Sequence, residues 1–323
     1  MEQKPPLPRS QAPLWTVTDG HAGNLRQAQA LARALDLHPV QDVELQPLAP
    51  WRWWAPRRLP GSQQAFGPGF AQRLSAPPEL AIGCGRQAAL ATRLLRQLGT
   101  RVVQILDPRL PPHHWDWVVA PAHDRASGDN VIKVQGSLNE IDDHWLAAAR
   151  AAFPALGALP GPRTAVLLGG PSAHMAFDLA AFDALAAKLD ALHVHGSLLI
   201  TASRRTPLDV RARLRQRYAG RADALVWMDE GDGANPYSGL LAWADRIICT
   251  PDSVNMLSEA CATRAPVFVF EPERLRGRPR AFLEFLLSRG RVRALTAAVD
   301  DGDVEPLRET DRVAAILRER LGL

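Results

Sequence analysis

Short apolar runs alternate with helix-like stretches along almost the whole of this chain, and that alternation restricts the fold more than any other feature. Leu14–Thr18 leads into a stretch from about 24 to 35, where Leu25, Ala28, Ala32 and Leu35 share one helical face. Further strands are expected at Val40–Leu45, Leu80–Gly83, Val102–Leu106, Trp117–Ala120 and Val131–Val134, with helices over 86–98 and 142–152. The Pro/Gly-rich segment FPALGALPGPR, 153–163, is the clearest linker. The pattern then restarts, with strands at Thr164–Leu168, Ser197–Thr201, Ala224–Trp227, Ile247–Thr250 and Val267–Phe270. Helices are expected between them over 176–192, 207–218, 236–245 and 254–264. The fold class is therefore α/β: two Rossmann-like domains, 1–155 and 160–305, with parallel sheets facing across a cleft, and a C-terminal helix in 306–323.

Size and composition agree. A chain of 323 residues, 46% apolar and 22% charged, has enough material for two cores. No apolar run approaches a membrane span, and the first thirteen residues read as a disordered lead-in rather than a secretory signal. Cys84, Cys249 and Cys261 are scattered and odd in number, which suits a reduced, cytoplasmic protein without structural zinc. The net charge is only +4, yet nearly all the basic residues are arginine, whose fork matches phosphate oxygens. No block of basic residues interleaved with aromatics points to nucleic acid.

In open parallel sheets, ligands bind beyond the carboxyl ends of the strands, so the loops there carry the candidates. In TPDSVNMLSEA, 250–260, Asp252 or Ser253 is placed to cap a helix, and Asn255, Ser258 and Glu259 share a stripe on it. Its first turn suits a phosphate. Glu259 lies about 9 Å further along the axis, a fitting offset for ribose hydroxyls. In TASRRTPLD, 201–209, Thr206, Pro207 and Asp209 look like a helix start, which puts Arg204 and Arg205 in the loop facing a leaving diphosphate. Gly169, Gly170 and Ser172 follow another strand, where glycine permits close backbone approach. Asn235 caps the next helix, and Tyr237 is placed to touch a base.

The first half offers Asp19, Gly20 and His21 after its first strand, in a loop that is not G-x-G-x-x-G. Asp107, Arg109, His123 and Asp124 lie at later strand ends. Asp19, then His21 or His123, are the candidate general bases. His113-His114 and Cys84 have no metal-ligand spacing. The segment PWRWWAPRRL, 50–59, mixes three tryptophans with three arginines. Exposed, Trp51–Arg58 suits a lipid headgroup zone; buried, it covers a sheet edge.

The stretches WTVTDGHAGNLRQA, LDPR, VVAPAHD, GSLN, LLGGPSAH, SRRTP and NPYSGLLAWADRIICTPDSVNMLSEA resemble the elongated-mitochondria fission-protein family over nearly the whole chain. The resemblance implies a fold similar to GT-B glycosyltransferases, with the nucleotide-sugar on the second domain. It carries the ribose-holding role to Glu259 and places Ser253 near the phosphates. The glycine-rich turn usual before this helix is replaced here by Pro251-Asp252. Asp19–Gly23 looks like the acceptor loop of the peptidoglycan N-acetylglucosaminyltransferase, which carries a catalytic His. The expected function is metal-independent, cofactor-free transfer from a nucleotide-sugar to a lipid or envelope-glycan acceptor at the inner face of a membrane. A nucleotide-sugar 2-epimerase and a non-catalytic membrane adaptor are the alternatives.

Overall fold

A computed structural model describes residues 14–192, 195–296 and 303–323; the lead-in expected over residues 1–13 lies outside them. Its strands form two six-stranded, wholly parallel sheets. The first holds β1 (Leu14–Thr18), β2 (Val40–Glu44), β3 (Leu80–Cys84), β4 (Arg101–Ile105), β5 (Trp117–Pro121) and β6 (Val131–Val134), in the order β2-β1-β3-β4-β5-β6. The second holds β7 (Arg163–Leu168), β8 (Ser197–Ala202), β9 (Ala224–Trp227), β10 (Arg246–Cys249), β11 (Val267–Val269) and β12 (Val292–Ala294), in the order β12-β11-β10-β7-β8-β9. The strand β12 has only three residues, too few for an apolar pattern to stand out, and sequence reading misses it.

Parallel strands covered on both faces read as continuous apolar runs, and β1 is buried at all five positions. Successive side chains go to opposite faces. Trp15, Val17 and Ala81 join the helix Arg86–Arg96, through Ala88 and Leu95, in one cluster. Leu14, Leu80 and Ile82 join the helix Ala22–Leu35, through Leu31 and Leu35, in another. The second sheet carries one large cluster that includes Val166, Leu199, Ile248 and Phe268.

The chain divides into two units, residues 1–140 with 309–323, and residues 141–308. The boundary therefore lies ahead of the expected one. The helix Asp143–Ala152 belongs to the second unit: Arg150 Nε donates to the Ala242 carbonyl at 2.8 Å, and Asp143 accepts from Arg264 and Arg308. The segment 153–163 is no free linker, because Phe153 and Leu156 crowd Gly239 of the helix Tyr237–Trp243, and Gly157 lies under the Trp243 ring. The final helix, Thr310–Leu321, returns to the first unit, where Val313, Ala314 and Leu317 are buried beside Leu14, Leu31 and Leu35. Thr310 secures it, donating to the Asn139 carbonyl and accepting from the Asn139 N–H.

Both sheets reverse their strand order once. After β1 the chain places β2 on one side and β3 on the other; after β7 it places β8 on one side and, later, β10 on the other. Such switch points leave crevices at the carboxyl ends, where ligands bind in this architecture.

Candidate functional site

The second sheet's switch point lies between β7 and β10, and the Gly169–Ser172 loop and the Val254–Cys261 helix both start there. Ser253 caps this helix, its hydroxyl accepting from the Met256 N–H at 3.3 Å. The first-turn N–H groups of Val254 and Asn255 have no intrahelical acceptors, as at any helix start. The helix ends at Cys261, earlier than expected. The Thr263 hydroxyl takes the Ala260 carbonyl, and the buried Arg291 guanidinium donates to the carbonyls of Ala260, Cys261, Thr263 and Ala265. Arg291 thus fastens the carboxyl end of the helix; burial pushes its guanidinium below the ordinary value.

Glu259 is buried, with 8% of its surface exposed, and its Oε2 accepts from the Tyr237 hydroxyl at 2.5 Å. Tyr237 is held in turn by Asn235, whose Oδ1 accepts the Tyr237 N–H at 3.0 Å. Asn255 is half-buried. Ser258 turns inward and donates to the Val254 carbonyl at 2.7 Å, so its hydroxyl is engaged with its own helix.

Asp252 has a different place from a ligand-facing cap. Its carboxylate is wholly buried and accepts from the Thr250 hydroxyl at 2.7 Å, the Gly170 N–H at 3.1 Å and Arg205 Nη2 at 2.6 Å. Asp252 therefore acts on the site through Arg205 and the β7 loop. The same packing explains the two glycines: a Cβ on Gly169 would lie 2.0 Å from Asp252 Oδ1, and one on Gly170 would lie 2.3 Å from the Arg205 carbonyl oxygen. They make room for protein rather than for a ligand. Ser172 is half-buried and accepts from the His174 N–H at 3.1 Å.

Thr206 does not cap the Leu208–Tyr218 helix as expected; its hydroxyl donates to the Gly169 carbonyl and ties the β7 and β8 loops together. Asp209 accepts from the N–H of Val210 and makes no capping box. The two adjacent arginines consequently diverge. Arg205 is committed to Asp252, while Arg204 is exposed and has no protein partner among the described residues.

At the first sheet's switch point, between β1 and β3, Asp19 and His21 come together, with Nδ1 3.0 Å from the Asp19 carboxylate and the His21 side chain 78% exposed. Asn24, which sequence reading passes over, organises the crevice. Its Nδ2 donates to Asp19 at 3.0 Å, its Oδ1 accepts from the Cys84 thiol at 3.7 Å, and its amide fills the space beside Gly85. Burial, followed by the charge of Asp19, pushes the Cys84 thiol up, which keeps it protonated. Gly20 sits at φ +77° with the Glu44 carboxylate where a Cβ would go. His123 follows β5, three strand spacings or about 14 Å across the sheet from β1, so it does not join the Asp19–His21 pair. Leu106 and Arg109 both adopt positive φ in the β4 loop, and Asp107 accepts the Arg109 N–H at 2.7 Å.

Trp53 and Trp54 are 61% and 53% exposed, so two of the three indoles of the Trp51–Trp54 helix do not cover a sheet edge, whereas Trp51 is half-buried against the first core. Among the described residues, no group of three or more His, Cys, Asp or Glu could hold a metal ion, and no helix is long and apolar enough to cross a membrane.

Residues 22–321 match the family model for mitochondrial fission ELM1. Mitochondrial fission protein ELM1 of Arabidopsis thaliana is 31% identical over 278 residues, which cover 76% of this chain and 64% of that one. The chain thus spans less than two thirds of that relative. An uncharacterised protein of Rickettsia prowazekii is 25% identical, covering 94% of this chain and 97% of its own. Among solved structures, MurG of Acinetobacter baumannii aligns with a TM-score of 0.52 at 14% identity, over 95% of this chain and 91% of that one. A UDP-GlcNAc 2-epimerase from Neisseria meningitidis, bound to UDP-GlcNAc, aligns with a TM-score of 0.53 at 14% identity, over 95% and 99%. These likenesses show an α/β fold of the GT-B type. The chain belongs to the mitochondrial fission ELM1 family.

Proposed function

We propose that this member of the ELM1 family is a metal-independent glycosyltransferase that moves a sugar from a nucleotide-sugar to the hydroxyl of a lipid or envelope-glycan acceptor. The observation that carries the reading is Glu259, a buried carboxylate two turns into a helix whose amino end opens at a switch point. A carboxylate so placed accepts from ribose hydroxyls, and the first turn of the helix suits the diphosphate. Tyr237 orients Glu259 and lies on the base side; Arg204 has its donors free for the phosphates. A neighbour of the same fold is bound to UDP-GlcNAc, which supports a uridine diphosphate sugar as the first probe.

The Asp19–His21 pair serves as the base. Asp19 accepts the Nδ1 proton of His21, which leaves Nε2, on a largely exposed ring, to take the acceptor's hydroxyl proton. The acceptor oxygen bonds to the anomeric carbon, the anomeric carbon–oxygen bond breaks, and the nucleoside diphosphate leaves with its charge on Arg204 and the helix amino end.

The test is a thermal-shift panel of nucleoside diphosphates. A ligand at a hundred times its Kd stabilises by about 2.7 kcal/mol. Glu259→Ala should abolish the shift, and Arg204→Ala should weaken binding about ten- to hundredfold. No shift with any nucleotide would point instead to a non-catalytic adaptor. Conversion of the donor without an acceptor would mark an epimerase, the activity of several proteins of this fold.

A further inference from the structure

The stretch from Leu45 to Pro78 contains no Asp or Glu, yet carries Arg52, Arg57, Arg58 and Arg73. In the second unit, by contrast, several half-buried arginines are matched by carboxylates: Arg213 pairs with Asp183, Arg217 with Asp190 and Arg221 with Asp223. Among the described residues, Arg52, Arg57 and Arg58 meet no carboxylate, and neither do Arg86 and Arg93 beneath them. Burial first, and then the like charge of Arg58, push the Arg93 guanidinium below its ordinary value. Such a cluster repels itself unless something outside the chain neutralises it.

The apolar side of the same surface is equally unusual. Five large hydrophobic residues are exposed among those described, and three of them, Leu48, Trp53 and Trp54, lie within seven positions of one another. Arg52 stacks over Trp53 at 4.8 Å. The platform is rigid. Arg86 donates to the carbonyls of Arg52, Trp53 and Ala55, Gln87 to that of Arg52 and Arg93 to that of Pro56, while the Trp51 indole N–H donates to the Pro60 carbonyl. Exposed indoles beside unneutralised guanidiniums match the bilayer interface, where indole rings settle among headgroups and cations meet anionic lipid.

We propose that Leu48, Arg52, Trp53, Trp54, Arg57 and Arg58 form a docking face for an anionic lipid bilayer. The face follows the carboxyl end of β2 and is fastened by Arg86 to the helix that starts at Gly85, inside the first switch point. It therefore lies at the same end of the sheet as Asp19 and His21. Docking itself does not depend on the glycosyltransferase reading. That the docked face brings a lipid-linked acceptor to His21 does rest on it.

The test is co-sedimentation of the full chain with vesicles of phosphatidylcholine alone or mixed with phosphatidylglycerol. Binding is expected only to the mixed vesicles, and about 0.5 M salt should release it. Arg52→Glu, Arg57→Glu and Arg58→Glu together should weaken it about a hundredfold, since each arginine near such a surface contributes about fivefold. Trp53→Ser with Trp54→Ser should weaken it about tenfold. All these side chains are exposed, so both variants should keep the parent Tm and the nucleotide-induced shift, and that shift reports on the donor site separately. Absence of vesicle binding, equal binding to neutral vesicles, or binding unchanged in both variants would overturn the proposal. So would self-association that the tryptophan variant abolishes in a chain that ignores vesicles, because the face would then belong to a second copy.

Discussion

At the second switch point the Asp252 carboxylate is wholly buried among Thr250, Gly170 and Arg205, whereas at the first the His21 ring stands largely in solvent against Asp19. The contrast matches the demands of the two proposed tasks, donor binding and proton transfer. Binding a fixed donor profits from groups already held in place, since little ordering remains to be done. Moving a proton requires a group that reaches an incoming hydroxyl and later exchanges with water. The cores differ in a parallel way. The second sheet shares one continuous cluster, but one face of the first is closed by the last helix of the chain, Thr310–Leu321, after the whole second unit has intervened.

The largest effect should therefore come from ending the chain at Arg308. Removing Val313, Ala314 and Leu317 uncovers Leu14 and Leu31 and forfeits about 5 kcal/mol of burial, all of it from the first unit. Peptide-resolved hydrogen exchange should show β1 and β3 unprotected while β7 and β10 stay protected. Equal loss in both sheets would break the comparison, because it would mean that the units do not fold independently.

Next in size is Arg291→Met, which leaves the carbonyls of Thr263 and Ala265 without a donor among the described residues and removes one of several donors from those of Ala260 and Cys261. Unsatisfied buried acceptors of this kind cost about 1–3 kcal/mol each, partly relieved by water, so a net loss of about 3 kcal/mol in urea unfolding is expected. Nucleotide affinity should fall with it, although Arg291 lies at the far end of the helix from Ser253. A variant that loses stability yet binds nucleotide as before would show that the helix needs no anchor to hold Glu259.

Much of this organisation is legible in the residues alone. The strands β1, β6 and β9 coincide with their apolar runs, and most others agree within one residue, because parallel strands buried on both faces leave an unbroken apolar signature. The loops worth inspecting follow from the same pattern. What does not follow is how polar side chains share partners. Whether Asp252 or Ser253 caps the helix, and whether Arg204 or Arg205 is free, depends on Gly170 and Thr250, and Gly170 lies 82 positions from Asp252 in the chain. Local spacing carries no trace of such a bond. The unit boundary was hidden for a related reason: 153–163 has a linker's composition, but Gly157 and Leu156 are there to fit Trp243 and Gly239. Sequence spacing equally cannot show that Asn24 joins Asp19 to Cys84.

The site comparison is sharpened by two matched variants. His21→Ala should lower kcat about a hundredfold or more while donor Kd stays unchanged, because general bases contribute on that scale. Asp252→Ala should instead weaken donor binding about tenfold, since Arg205 and the Gly169–Gly170 turn lose their common acceptor. If His21→Ala raised donor Kd and left kcat intact, the roles assigned to the two switch points would be exchanged.

The smallest effect, and the most discriminating per measurement, is in the response to acid. Burial first, and then the charges of Arg93, His113 and Arg96, hold the His114 imidazole of the first unit below its ordinary value. The unfolded chain then binds that proton more readily than the folded one, so the contribution is complete above about pH 6.5 and is lost as pH falls below it. In the second unit, hydrogen bonds from Arg308 and Arg264 hold the Asp143 carboxyl well below the carboxylate range. Burial raises the Asp245 carboxyl, but the bonds and charge of Arg163 outweigh it and hold the group low. Carboxyls shifted that way contribute above about pH 4 and lose the contribution only as pH falls further. Urea midpoints read from peptide-resolved pulse proteolysis should thus drift downward for β4 and β5 between about pH 6.5 and 5, by well under about 1 kcal/mol because His114 is partly solvated. Those of β7 and β10 should stay level until about pH 4. His114→Gln should flatten the first drift and leave the second untouched. A drift that persists in that variant would locate the acid-sensitive group elsewhere in the first unit, and one that begins in the second unit would reverse the electrostatic contrast.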